Sequence, residues 1–75
     1  MRPQKRSFTI RGHRTSISLE GAFWTALREA ADEERVPLAQ LIAAIDKDRG
    51  EAGLSSAVRI WLLERLKTKA KRLNG

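Results

Sequence analysis

Three polar side chains, Arg14, Ser16 and Ser18, stand at every second position of Arg14-Thr-Ser-Ile-Ser-Leu19. In an extended strand such residues share one face, and Thr15, Ile17 and Leu19 take the other. Arginine and serine hydrogen-bond base edges and phosphate oxygens, so one face carries the chemistry of nucleic-acid contact and the other that of a core. Arg11 and His13 lie just before this segment, where a phosphate or base contact is open to them; the ordinary alternative for His13 is a solvated turn residue. Elsewhere the residues offer little chemistry. His13 is the single imidazole, cysteine and tyrosine are absent, and the carboxylates lie on polar helical stretches where solvation is the default reading. We assign no catalytic residue and read the chain as a non-enzyme. Asp46, Asp48 and Glu51 lack the ordered spacing and glycine of a calcium loop, and neither glycine-rich phosphate motif occurs. No metal, cofactor or small-molecule substrate is expected.

Charge points the same way. Of the 15 Lys and Arg residues against 9 acids, five fall within residues 1–14 and four within 67–75, with no acid in either stretch. The middle of the chain is therefore acidic, and the net charge of +6 sits at the ends. A polyanionic partner is implied, with nucleic acid ahead of a lipid surface; basic tails that merely aid solubility are the plain alternative. There is no apolar run long enough for a membrane span and no apolar core of a secretory signal after the basic start, so a cytoplasmic location is expected.

The elements that must position these residues follow from periodicity. Residues 1–7 read as a flexible basic arm and 8–75 as a single domain. From Phe8 to Leu19 the apolar positions alternate, with Gly12 and His13 interrupting as a bend, a bulge or a turn between two short strands. At Glu20 the period becomes helical: Phe23, Ala26, Leu27 and Ala30, widened by Trp24, predict a first helix over about 20–34. Acids at its C-terminal end oppose the helix dipole, so its last turn should fray. Pro37 opens a second helix over about 37–48 with a stripe of Leu38, Leu41, Ile42 and Ile45, stopped near Gly50. A third spans about 54–71, with a serine available as its cap. Its apolar residues, Trp61 among them, nearly encircle its middle, which predicts burial on more than one side.

A chain of 75 residues without disulfides or a structural metal buries little apolar surface, and oligomerisation is the remaining source of stability. A lone strand also needs a ladder partner. Pairing of residues 14–19 with their own copy satisfies both needs and presents Arg14, Ser16 and Ser18 from each chain on one ribbon, which is the right size for the major groove of B-form DNA.

In this order, Arg14-Thr-Ser-Ile-Ser-Leu-Glu20, the helix from Phe23 to Glu34 and the helix from Pro37 to Ile45 resemble the ribbon-helix-helix family that includes the Arc and MetJ repressors. More narrowly, Lys5 to Glu20 with Phe23-Trp24 and Gly53-Leu-Ser-Ser-Ala57 looks like a group of short bacterial ribbon-helix-helix proteins. The resemblance implies a mostly α fold with a short β-ribbon, formed as an intermolecular antiparallel two-stranded sheet of an intertwined homodimer, here with an extra third helix. It implies that Arg14, Ser16 and Ser18 read bases. It also implies that the backbone amides of Leu38 and Ala39, after Pro37, hold a phosphate, which the partial positive charge of a helix N-terminus favours independently. Arg11 and His13 are assigned to phosphates, and Ile17, Leu19, Phe23, Leu27, Leu41, Ile42, Ile45 and Trp61 to the dimer core. The expected partners are double-stranded DNA and a second copy, as a homodimer or a dimer of dimers, and the expected function is sequence-specific repression of transcription. The competing expectation is a protein-interaction module, such as an antitoxin or adaptor, that does not read DNA.

Overall fold

In the computed structural model, which describes residues 2–51 and 53–74, two strands precede three helices. Met1 of the expected arm, Ala52 of the loop before the third helix and Gly75 at the end of the expected domain lie outside the described residues. The strands are β1 (Gln4–Ile10) and β2 (His13–Leu19), and the helices α1 (Gly21–Glu34), α2 (Leu38–Asp48) and α3 (Leu54–Asn74).

The ribbon closes within one chain. β1 and β2 are antiparallel neighbours in a register running from Ile10 opposite His13 to Gln4 opposite Leu19. Arg11 and Gly12 connect them with φ of 52° and 80°, the pair of positive values that the tight two-residue turn of a right-twisted hairpin requires. Within this chain β2 pairs with β1. One expectation is corrected here. The segment read as a flexible arm joins the sheet from Gln4 onward, because an adjacent strand on a two-residue turn costs far less chain entropy to pair than a separate molecule.

Alternation along both strands gives the sheet its two faces. Ile10, Ile17 and Leu19 are buried and Phe8 and Thr15 half-buried on the inner side, above a core completed by Trp24, Leu27, Ala30 and Ala31 of α1, Leu41, Ile42 and Ile45 of α2, and Leu54, Val58 and Leu62 of α3. Six of the eight residues assigned to a dimer core are thus covered by their own chain: Ile17, Leu19, Leu27, Leu41, Ile42 and Ile45 are buried, while Phe23 and Trp61 are half-buried. One chain covers these residues because the hairpin brings β1 alongside β2 above the helices.

Trp24 ties the sheet to α1. Its Nε1–H donates to the carbonyl of Gln4 at 2.9 Å, its ring lies 5.9 Å from that of Phe8, and the Arg6 guanidinium sits 5.2 Å above it. The first half of β1 is therefore draped over a single indole.

The C-terminal acids of α1 do not leave its last turn frayed. The helix runs to Glu34 and closes on Arg35 in the left-handed conformation, with the Arg35 and Val36 amides donating to the carbonyls of Asp32 and Ala31. The acids are met from outside. Arg65 of α3 pairs with Glu33 at 2.9 Å and Glu34 at 3.2 Å, and Lys69 reaches Glu33. The Lys69 and Arg65 hydrogen bonds hold the Glu33 carboxyl below its ordinary pKa, and Glu33 in turn raises that of Arg65. A carboxyl depressed in the folded state contributes stability above its unfolded pKa and loses it as pH falls through the folded value. The urea midpoint of the protein is therefore expected to drop on acidification below about 4.5, the ordinary value for Glu33. A Glu33→Gln variant should show a smaller drop, and equal drops would refute the latch.

The α3 start also differs from expectation. Leu54 begins the helix, the Ala57 amide bonds the Gly53 carbonyl, and the hydroxyl of Ser55 is engaged with β2 instead of capping its own helix.

Candidate nucleic-acid interface

The outer face of the hairpin is polar throughout. Paired residues of an antiparallel ladder lie on the same face, so the register sets Lys5 beside Ser18, Ser7 beside Ser16 and Thr9 beside Arg14, opposite the side that buries Ile17 and Leu19. The Ser7 and Ser16 hydroxyls are 3.3 Å apart. All of these residues are exposed except Ser18, which is half-buried. A strand of seven residues is roughly 20 Å long and its neighbour lies about 5 Å away, so the ribbon is narrow enough for a major groove about 12 Å wide.

Arg14, Ser16 and Ser18 thus share one outward face, as expected. The other half of the face, Lys5, Ser7 and Thr9, was missed. The alternation of Ser7 and Thr9 with Phe8 and Ile10 was its signal in the sequence. Arg11 stands exposed at the tip of the turn, and His13 is exposed at the start of β2 on the inner-facing register beside Ile10. Five bases and no acid occur before Glu20, so the hairpin is uniformly basic.

Pro37, Leu38 and Ala39, expected to hold a phosphate, lie at the start of α2. Pro37 is the N-cap of α2 with an extended backbone, its carbonyl accepts from the Gln40 and Leu41 amides, and no side chain caps the helix. The first turn of α2 carries no acid. Pro37 and Ala39 are exposed and Leu38 is half-buried.

A clamp from α3 holds the end of β2. Ser18 donates its amide to the Ser55 hydroxyl at 3.2 Å and its carbonyl accepts from Arg59, whose guanidinium grips Glu20 at 2.9 Å and lies over the Phe23 ring. The Glu20 carboxyl is held below its usual pKa by its own backbone amide and then by Arg59. Nothing in the sequence pointed to this clamp, whose partners lie 37 to 41 residues apart. Of the basic tail, Lys69 is already engaged with Glu33.

Among the described residues no group of His, Cys, Asp or Glu could hold a metal ion, and no helix is long and apolar enough to cross a membrane.

The hairpin, its polar outer face and the helices behind it define a small α-helical protein with a β-ribbon. A family model described as a ribbon-helix-helix domain matches residues 3–66, and the chain belongs to that family. Proteins of the family are in general DNA-binding regulators that act as dimers, and the fold is typically non-enzymatic. No curated protein and no solved structure matches the chain.

Proposed function

We propose that this protein is a sequence-specific repressor of transcription that works in the bacterial cytoplasm and reads double-stranded DNA with the outer face of its hairpin. The observation that carries the reading is the face itself: Lys5, Ser7, Thr9, Arg14, Ser16 and Ser18 project from one side of a ribbon whose other side is core. Arg14, Ser16 and Ser18 contact bases, joined by Lys5, Ser7 and Thr9 from β1. Arg11 and His13 at the turn and the Leu38 and Ala39 amides behind Pro37 hold phosphates. Each subunit of a homodimer brings a complete two-stranded ribbon to its own half-site.

Phosphate contacts from these bases release counterions, so affinity should fall steeply and log-linearly with salt. Fluorescence anisotropy on fragments selected from a random DNA pool tests the reading. Replacing Arg14 by alanine removes a base contact worth about 1–3 kcal/mol per subunit, and the selected site should then be bound at least fivefold more weakly with little change on random duplex. Unaltered binding by a folded Arg14→Ala protein would remove Arg14 from the reading face. An adaptor without DNA readout predicts no binding to any pool member at physiological salt.

A further inference from the structure

Two parts of the surface belong neither to the core nor to the outer face of the hairpin. One is apolar. α3, expected to be buried on more than one side, buries one side only, through Leu54, Val58 and Leu62, and leaves Ile60, Leu63 and Leu66 exposed. The other is charged, and its chemistry names a ligand. Between the first half of β1 and the start of α1 lies a cleft of about 390 Å³, lined by Gln4 and Arg6 from the strand and by Gly21, Trp24, Thr25 and Arg28 from the helix.

We propose that this cleft binds a phosphoryl group between the Arg6 and Arg28 guanidiniums, supplied either by the backbone of bound DNA or by a small phosphorylated ligand. Gln4 and Arg6 stand opposite Leu19 and Ile17 in the ladder, so they leave β1 on the inner face and not on the outer one. The site is therefore separate from the ribbon face, and only the DNA arm of its test rests on the proposed function.

Charge balance is the first argument. Three arginines of the helical region are met by carboxylates, Arg49 by Asp46, Arg59 by Glu20 and Arg65 by Glu33 and Glu34. The cleft is lined by two guanidiniums and no acid. Glu20, which precedes α1, is turned to Arg59 at 2.9 Å, and Glu29 lines a different cleft, between α1 and α3. Among the described residues no ion pair joins Arg28 to Asp32, one turn further on. Like charges facing one small volume repel, and an anion seated between them removes that repulsion.

Donor geometry is the second. The Arg6 guanidinium lies 5.2 Å above the Trp24 ring. Stacking uses the face of the fork and leaves its in-plane N–H groups free, in the arrangement that grips phosphate through two parallel hydrogen bonds. Trp24 is itself fixed, being 2 % exposed with its indole N–H bound to the Gln4 carbonyl, so Arg6 is oriented before any ligand arrives. The Gln4 side-chain amide stands at the Gly21 end of the cleft, 3.8 Å from where a Cβ on that glycine would be, and Thr25 adds a hydroxyl. Two cations of fixed shape, an amide and a hydroxyl supply more donors than a carboxylate can take, and match the oxygens of a phosphoryl group.

Two charge-removing variants test the site. Arg28→Gln deletes a guanidinium of the cleft from an exposed helical position, and Lys47→Gln deletes a charge from the last turn of α2, where Lys47 is also exposed. Inorganic phosphate is titrated into isotope-labelled protein at constant ionic strength, followed by the side-chain N–H resonances of Gln4, Arg6 and Trp24. These should shift saturably in the parent and in Lys47→Gln, with a dissociation constant at least fivefold higher in Arg28→Gln. The slope of log affinity for duplex DNA on log salt is then compared among the same three proteins. A slope smaller by about one per subunit in Arg28→Gln alone, with selected and random duplex weakened alike, assigns the phosphoryl group to the DNA backbone. Phosphate binding with an unaltered slope assigns it to a small ligand. An Arg28→Gln protein that matches the parent in both measurements, or a Lys47→Gln protein as impaired as Arg28→Gln, overturns the site. A parent that binds phosphate at these resonances but no DNA would reject the ribbon reading and leave the cleft standing.

Discussion

Replacing Trp24 with alanine should cost about 3–5 kcal/mol, the range for removing a buried indole. A domain of this size is stable by roughly 4–11 kcal/mol in all, so the variant should lose at least about a quarter of its stability and approach unfolding at physiological temperature. The size of the effect follows from how much meets at one ring. Trp24 is 2 % exposed; it stacks on Phe8, supports Arg6 and donates to the Gln4 carbonyl. Removing it leaves a cavity under β1 and strips the strand of its main tie to α1. A Trp24→Phe protein keeps an aromatic surface for Arg6 and Phe8 but not the donor, and should lose only about 1–2 kcal/mol. Urea unfolding followed by circular dichroism checks both. An alanine variant with nearly the parent midpoint would mean that β1 is held by its ladder alone.

The sequence made the helices and their inner faces legible because their period is local. Leu27, Leu41, Ile42 and Ile45 needed only spacing to be placed in a core, and the three helix boundaries fell within a residue or so of expectation except at the end of α3. The polar outer face of Arg14, Ser16 and Ser18 was legible for the same reason, since a period of two fixes a face without fixing a partner. Which strand lies alongside is a different kind of fact. Ile10-Arg-Gly-His13 reads equally as a bulge, a bend or a turn, because arginine is not a residue that favours positive φ and a lone glycine fits all three. Once Arg11 takes φ of 52°, β1 becomes the partner and the face doubles to include Lys5, Ser7 and Thr9.

What the sequence could not supply was contact between distant residues. Ser55 looks like a helix cap by its position, yet its hydroxyl closes the edge of β2. Arg59 with Glu20, and Arg65 with Glu33, are ordinary surface charges until folding brings α3 across α1. Trp24 was read as one more member of an apolar stripe because its tie to Gln4 runs through a backbone carbonyl, which no side-chain pattern encodes. These contacts also decide how the fold meets its partners. By capping the end of the ribbon, α3 leaves the polar face exposed and turns the rest of its apolar surface outward.

The turn gives the most direct test of whether that polar face works as a unit. Gly12 has φ of 80°, and a Cβ added there meets nothing within 4 Å. A substitution is therefore penalised by backbone torsion alone, about 1–2 kcal/mol for an ordinary L-residue and more for a β-branched one. Gly12→Val should lower stability by about 2 kcal/mol or more and weaken binding to selected DNA more than Arg14→Ala does, since misalignment of β1 and β2 disturbs six side chains where the alanine removes one. Asparagine tolerates the left-handed region far better, so Gly12→Asn should retain most of both properties although it adds a larger side chain than alanine. Arg11→Asn separates geometry from charge. It improves the match of the turn to its backbone while deleting the guanidinium at the tip, so the hairpin should gain stability as DNA affinity and the slope of affinity against salt both decline. If Gly12→Val bound DNA as tightly as the parent while unfolding more readily, contact would have to come from elsewhere on the molecule, and the α2 N-terminus with the basic end of α3 would be the surface to examine.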